Sequence, residues 1–207
     1  MTILLTLTAL LFIINYFFYK KIHQFNYYLY GIAIAIGIFS LTQEVNIINL
    51  GYVGFSFFIL VMYSGALDKG KMKKSLIATR AEMAILGTIF ITVHGVKFLL
   101  YAFDYGILFY SPLYFYVGII ALALASPLFV TSFMFIRKKM NGKDWKRLHR
   151  FAYVFYFAVA MHLILMQNDR MYEYIGIFGL YFVLRIWTMI DNKLAKKKKS
   201  AKKIETS

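Results

Sequence analysis

Apolar residues along this chain come in long uninterrupted runs, and short polar segments cut them apart. A helix needs about 20 apolar residues to cross a bilayer. The runs at 2–19, 26–43, 49–67, 82–103, 113–136, 149–167 and 174–190 reach or approach that length. Strands of a membrane barrel would alternate apolar with polar positions, which these runs do not do. The pattern therefore predicts an all-α fold, a polytopic membrane helical bundle of seven crossings. The first 50 residues allow a second count, because "NYYLYGIAIAIGIFSLTQEV" is polar at both ends. In that count there are six crossings, and the first run is an accessory or re-entrant element. Pro127 inside the fifth run predicts a kink.

Composition sharpens this picture. With 61% hydrophobic residues in 207, the chain is not a soluble globular domain. The charge balance, 24 Lys and Arg against 9 Asp and Glu, is distributed unevenly between the connecting segments. The basic ones are 20–24, "DKGKMKKSLIATR", "RKKMNGKDWK" and the tail "KLAKKKKSAKKIETS", and they alternate with nearly neutral ones. Of the basic residues only Lys97 and Arg170 fall towards the neutral side. The positive-inside rule then puts the N-terminus outside and the C-terminus in the cytoplasm of a bacterial-type plasma (inner) membrane. The net charge of +15 follows from topology and attraction to anionic membrane lipid, so no nucleic acid partner is called for. The lysine tail reads as disordered.

The chain has no cysteine, which excludes disulfides, thiolate metal sites, iron–sulfur clusters and thiolate-ligated haem. The first run lacks a basic n-region and a small-residue cleavage site, so it reads as a retained helix. Neither a G-x-G-x-x-G nor a P-loop pattern occurs, so the chain does not take hydride from a nicotinamide by itself. Ser64, Ser126 and the tyrosines show no histidine and acid around them that would support hydrolysis.

Two of the four histidines stand deep in apolar runs. His94 lies about twelve residues into the fourth crossing and His162 thirteen into the sixth, ~18 Å and ~19 Å from their cytoplasmic ends at ~1.5 Å per residue. Both crossings run from inside to outside, so the two imidazoles share a depth in the outer half of the membrane. A polar group there needs a partner, because an unpaired one costs several kcal/mol. Two neutral imidazoles facing each other could supply both axial ligands of a b-type haem. Alternatively, each merely bonds to a neighbouring helix.

His149 sits at the cytoplasmic rim inside "KRLHRF". Its offset from His162 corresponds to ~20 Å of rise and about 220° of rotation, so a straight helix would not place both on one face. A mate for it on the fourth crossing should stand near residue 81, where the sequence reads Arg80, Ala81, Glu82. A second haem would need another ligand. His23 is a candidate, but as a loop histidine it reads as solvated; Met72 and Met83 have no specific support. Lys97, one turn beyond His94, could pair with a haem propionate or snorkel to the surface. Arg80, Arg147 and Arg150 line the rim near His149, where they could hold inner propionates or a flavin phosphate.

At these residues the sequence resembles the ferric reductase-like transmembrane family, and within it the MsrQ (YedZ) type of haem-binding membrane subunit. The resemblance rests on Arg80 and His94 in "R-x6-G-x6-H" with Gly87 between. It rests also on "W-x2-LHR-x-x-Y" from Trp145 to Tyr153, with His162 thirteen residues after His149. It extends over roughly 50–190. It implies a six-helix ferric reductase-like core with haem between helices, His94 and His162 as haem ligands, and His149 as a third functional histidine. It further implies one haem b or two, and FMN or a quinone on the cytoplasmic side. Electrons would pass from a separate flavoprotein or quinol donor to an extracytoplasmic redox acceptor. The chain departs from the family in having a single Arg80 in "TRAE", where a paired arginine is usual, and in the additional N-terminal crossing.

The expected organisation is N-terminal membrane helices over 1–48, the haem-binding domain over 49–191 and the basic cytoplasmic tail over 192–207. Two other functions remain open. One is a carrier or channel using the intramembrane histidines for protons or metal. It calls for more intramembrane acids than Glu44, Glu82, Asp104 and Asp191, all near helix ends or rims. The other is a haem-binding scaffold without turnover.

Overall fold

The computed structural model describes residues 2–43, 45–49, 51–67, 70–166 and 170–205, so Glu44 lies outside the described residues. Each apolar run forms a helix: α1 (Thr2–Gln24), α2 (Asn26–Thr42), α3 (Tyr52–Ser64), α4 (Arg80–Asp104), α5 (Leu113–Val130), α6 (Ala152–Leu165) and α7 (Met171–Glu205). Short helices at Asn46–Asn49, Lys71–Ala78 and Gly142–Leu148 lie between them. The last of these continues into α6 through a tighter 3-10 turn at His149–Phe151. All regular structure among the described residues is helical. Among the described residues, five helical units are long and apolar enough to cross a membrane, namely α1, α4, α5, Gly142–Leu165 and the Met171–Ala195 part of α7. The chain is an integral membrane protein with a helical bundle fold.

Contacts set the direction of each helix. The Leu4 carbonyl lies 3.4 Å from the Ser56 hydroxyl, so α1 and α3 begin at the same end. Gly37 packs on Val93 and Lys97 reaches the Leu41 carbonyl at 3.4 Å, so α2 runs alongside α4 in the same direction. The start of α5 meets the end of α6 at Gly118 and His162, and its end meets the start of that unit at Thr131 and His149. Arg170 bonds Tyr52 at one end of α3, and Arg185 bonds the Gly65 carbonyl at the other, so α7 runs with α3. Direction thus alternates along the chain. The segments carrying Lys71, Arg80, Arg137 and Arg150 gather at what is called here the basic end.

At its centre is α3, short at 13 residues, with ten of them buried. It is apolar on all sides, and a helix of that kind belongs inside a bundle rather than at its surface. Phe58 packs on Phe155 with ring centroids 4.8 Å apart, and Phe57 stacks on Phe90 at 6.2 Å. Gly54 lets α3 approach α4 closely: a Cβ there would lie 2.9 Å from the Ile91 backbone nitrogen and 3.0 Å from the Gly87 carbonyl oxygen.

Helix ends differ from the expected run ends for local reasons. The fifth run was expected to continue to 136, but α5 stops at Val130. The last turn tightens after it, with the Ser132 N–H bonding the Phe129 carbonyl at 3.1 Å and Phe133 extended. The Thr131 hydroxyl and N–H both turn back to the Pro127 carbonyl, at 2.7 and 3.1 Å. The lysine-rich tail, expected to be disordered, continues α7 to Glu205. Extending an existing helix avoids the nucleation penalty, and Lys, Ala and Glu are good helix formers.

Candidate functional site

His94 on α4 and His162 on α6 face each other near the end opposite the basic one. Their ring centroids are 6.4 Å apart and their planes cross at 80°. His162 Nδ1 lies 2.8 Å from the Tyr114 carbonyl oxygen on α5. A carbonyl only accepts, so Nδ1 carries the proton and Nε2 keeps its lone pair. This is the second-shell bond that fixes the tautomer of a metal-binding histidine. Glycine brings the backbone close to each ring, Gly51 beside His94 and Gly118 beside His162. Phe98 packs against His94 at 5.0 Å between ring centroids.

The spacing suits a metal held between the two rings. Bonds of ~2 Å to each imidazole nitrogen, and about 1 Å more to each ring centre, put two axial rings roughly 6 Å apart. The donor set is two imidazole nitrogens with no thiolate or carboxylate, which fits haem iron. Among the described residues, no three His, Cys, Asp or Glu side chains come together to form a metal site.

A second site lies at the basic end. A small, partly open pocket is lined by Arg80, Ala84 and Thr88 of α4, by His149, and by Phe155 and Tyr156 of α6, among others. Arg80 and Tyr156 line this pocket together. His149 Nε2 lies 3.1 Å from the Thr131 hydroxyl oxygen, and that hydroxyl donates to the Pro127 carbonyl, so Nε2 carries the proton that bonds Thr131. Trp145 stacks on the His149 ring at 4.1 Å and is itself covered by Arg137 at 4.4 Å. On α4 the lining is supplied by Arg80, Ala84 and Thr88, and it holds no second histidine or methionine.

The profile of the ferric reductase like transmembrane component matches residues 50–160, which takes in His94 and His149 and ends two residues before His162. The chain belongs to the ferric reductase-like transmembrane family. An uncharacterized protein of Treponema pallidum is 32% identical over 119 residues, covering 51% of this chain and 31% of that protein. The magnetosome protein MamZ of Magnetospirillum gryphiswaldense is 31% identical over 126 residues, 58% of this chain and 19% of that one. MamZ of Paramagnetospirillum magneticum is 29% identical over 126 residues, 58% of this chain and 20% of that one. The chain thus spans less than a third of each of these relatives. No solved structure matches it.

In this ferric reductase-like chain the other sequence candidates lie apart from the facing pair. Lys97, three residues beyond His94, donates to the Leu41 carbonyl at the C-terminal end of α2, a favourable place for a cation. Arg150 is exposed and outside the pocket lining. His23, expected to be solvated, is paired with Glu82 at 2.6 Å. Sequence reasoning missed Gly51, Gly118, the Tyr114 carbonyl, Thr131 and Tyr156, whose roles depend on how neighbouring helices are rotated. It also passed over Arg185, which bonds Tyr153 at 2.7 Å and the Gly65 carbonyl at 2.7 Å. An arginine inside "YFVLRIW" was a legible signal, since a charge within an apolar run needs partners.

Proposed function

We propose that this chain carries single electrons across the membrane through a b-type haem held between His94 and His162. The observation that supports the reading most is the facing pair of imidazoles, 6.4 Å between centroids, with His162 oriented by the Tyr114 carbonyl. When bound, haem supplies reversible one-electron exchange at its iron. The protein's part is to orient the two rings and to exclude water with Phe98 and the apolar helix faces around them.

The basic end is taken as cytoplasmic, in a bacterial-type plasma membrane. There Arg80, His149 and Tyr156 line the pocket a donor's ring, FMN or a quinone, would approach. The donor is a separate flavoprotein or a quinol, and the acceptor is an extracytoplasmic redox partner. The haem-binding part is 49–191. One haem is the favoured count, because the basic-end pocket offers His149 no second axial residue.

Oxidised and dithionite-reduced visible spectra with a pyridine haemochrome assay test this directly. Purified wild type should show a low-spin b-type spectrum that disappears in His94→Ala and His162→Ala and persists in His149→Ala. Wild type that takes up no haem under haem-replete expression would end the reading.

A further inference from the structure

We propose that Gly118 and Gly51 are positioning residues, each serving as the seat of one axial imidazole and together setting the crossed arrangement of the two rings. The proposal rests on the haem reading above.

Gly118 stands four residues after Tyr114 on α5, so its own N–H is the helical partner of the Tyr114 carbonyl. That carbonyl also accepts the Nδ1–H of His162, which therefore has to approach from beside residue 118. A Cβ at 118 would lie 2.9 Å from Nδ1 and 3.0 Å from Cε1, closer than side-chain contacts allow. The missing side chain is the opening through which His162 reaches its acceptor. Any substituent there pushes the ring away, and the Nδ1–H bond that raises the basicity of Nε2 weakens with it.

Gly51 holds the other ring by a different device. It caps the start of α3 in the left-handed region at φ 75°, where glycine carries no side-chain penalty. This turn brings its backbone against His94, so that a Cβ would lie 3.3, 3.4 and 3.5 Å from Cγ, Nδ1 and Cδ2. The near-equal distances place it over the Cγ end of the ring, where it limits rotation. One seat acts through a hydrogen bond and the other through contact, and the rings they hold cross at 80°.

The test compares Gly118→Ala and Gly51→Ala with Gly31→Ala and Gly176→Ala, two positions where an added Cβ meets nothing within 4 Å. In haem-loaded protein, crossed axial imidazoles give a strongly anisotropic low-spin ferric resonance, and rings nearer parallel give a more rhombic one. Both seat variants should shift that resonance, and Gly118→Ala should also move the midpoint potential to more positive values, since a less basic imidazole stabilises ferric iron less. The control variants should match wild type. In haem-free protein, histidine nitrogen resonances should report His162 protonated at Nδ1 in wild type and altered in Gly118→Ala.

Seat variants with wild-type resonance and potential would overturn the proposal, as would an unchanged His162 tautomer in Gly118→Ala. Gly51→Ala tests the second seat by itself if Gly118→Ala does not accumulate. A wild type that binds no haem would instead count against the electron-transfer reading, and the haem-free nitrogen resonances would still decide the Gly118 seat.

Discussion

Glu82 stands in the first turn of α4 with 4% of its side chain exposed, and its Oε1 lies 2.6 Å from His23 Nδ1. Its other oxygen, Oε2, is buried without a hydrogen-bond partner. Removing His23 therefore leaves a buried carboxyl group with neither oxygen paired, at a cost of ~1–3 kcal/mol. His23→Ala should lower the unfolding free energy by that amount, and the loss should shrink when Glu82→Gln is added; a double-mutant cycle by thermal unfolding measures the coupling. At this scale the sequence was legible where counting suffices. His94 and His162 could be brought to one depth because rise per residue is constant. The partner of His23 was not legible, because Glu82 looks like an ordinary helix-end acid until α1 is folded over it. The same holds for Gly118, whose use is apparent only when His162 stands beside it.

Between elements, the close approach of α3 to α4 depends on Gly54. An added methyl there would press on the Ile91 nitrogen and the Gly87 carbonyl, backbone atoms that have no rotamer to move into. Gly54→Ala should cost ~1–3 kcal/mol through overpacking. Gly31→Ala, with open space around it, should be neutral or slightly stabilising; the two melting curves in one detergent make the comparison. The apolar runs predicted α1 to α7 as helices, although α2 and α3 are shorter than the crossings expected of them. Their ends were less legible. The end of α5 depends on Thr131 bonding back to the Pro127 carbonyl, and the limits of α3 depend on turns at Gly51 and Gly65. Nor did hydropathy distinguish the central α3 from its neighbours, since a lipid-facing helix and a buried one are both apolar.

For the molecule as a whole, alternating helix directions place Lys139 at the basic end and Phe109 beyond α4 at the other. Phe109 is 87% exposed, in the turn between α4 and α5. The chain contains no cysteine, so single cysteines report sidedness without background. Lys139→Cys should resist an impermeant thiol reagent in intact cells and react once they are opened, and Phe109→Cys should react in both. The reverse pattern would invert the orientation taken here. The expected orientation rests on lysine and arginine counts alone, because basic and nearly neutral connecting segments alternate along the chain.

The depth of the imidazole pair has an electrical consequence. His149 and His162 are separated by ~20 Å of helix rise, about two-thirds of a ~30 Å hydrocarbon core. On the proposed route, an electron passing from the basic-end pocket to the facing pair would move through about two-thirds of the transmembrane field. One charge across 100 mV corresponds to ~2.3 kcal/mol, so an inside-negative voltage of that size favours this transfer by roughly 1.5 kcal/mol. In proteoliposomes of known orientation, haem reduction by a donor on the basic side should accelerate as that side is made more negative and slow when the voltage is reversed. The membrane potential would then act on the protein as a driving force in its own right, independent of how strong a reductant the donor is.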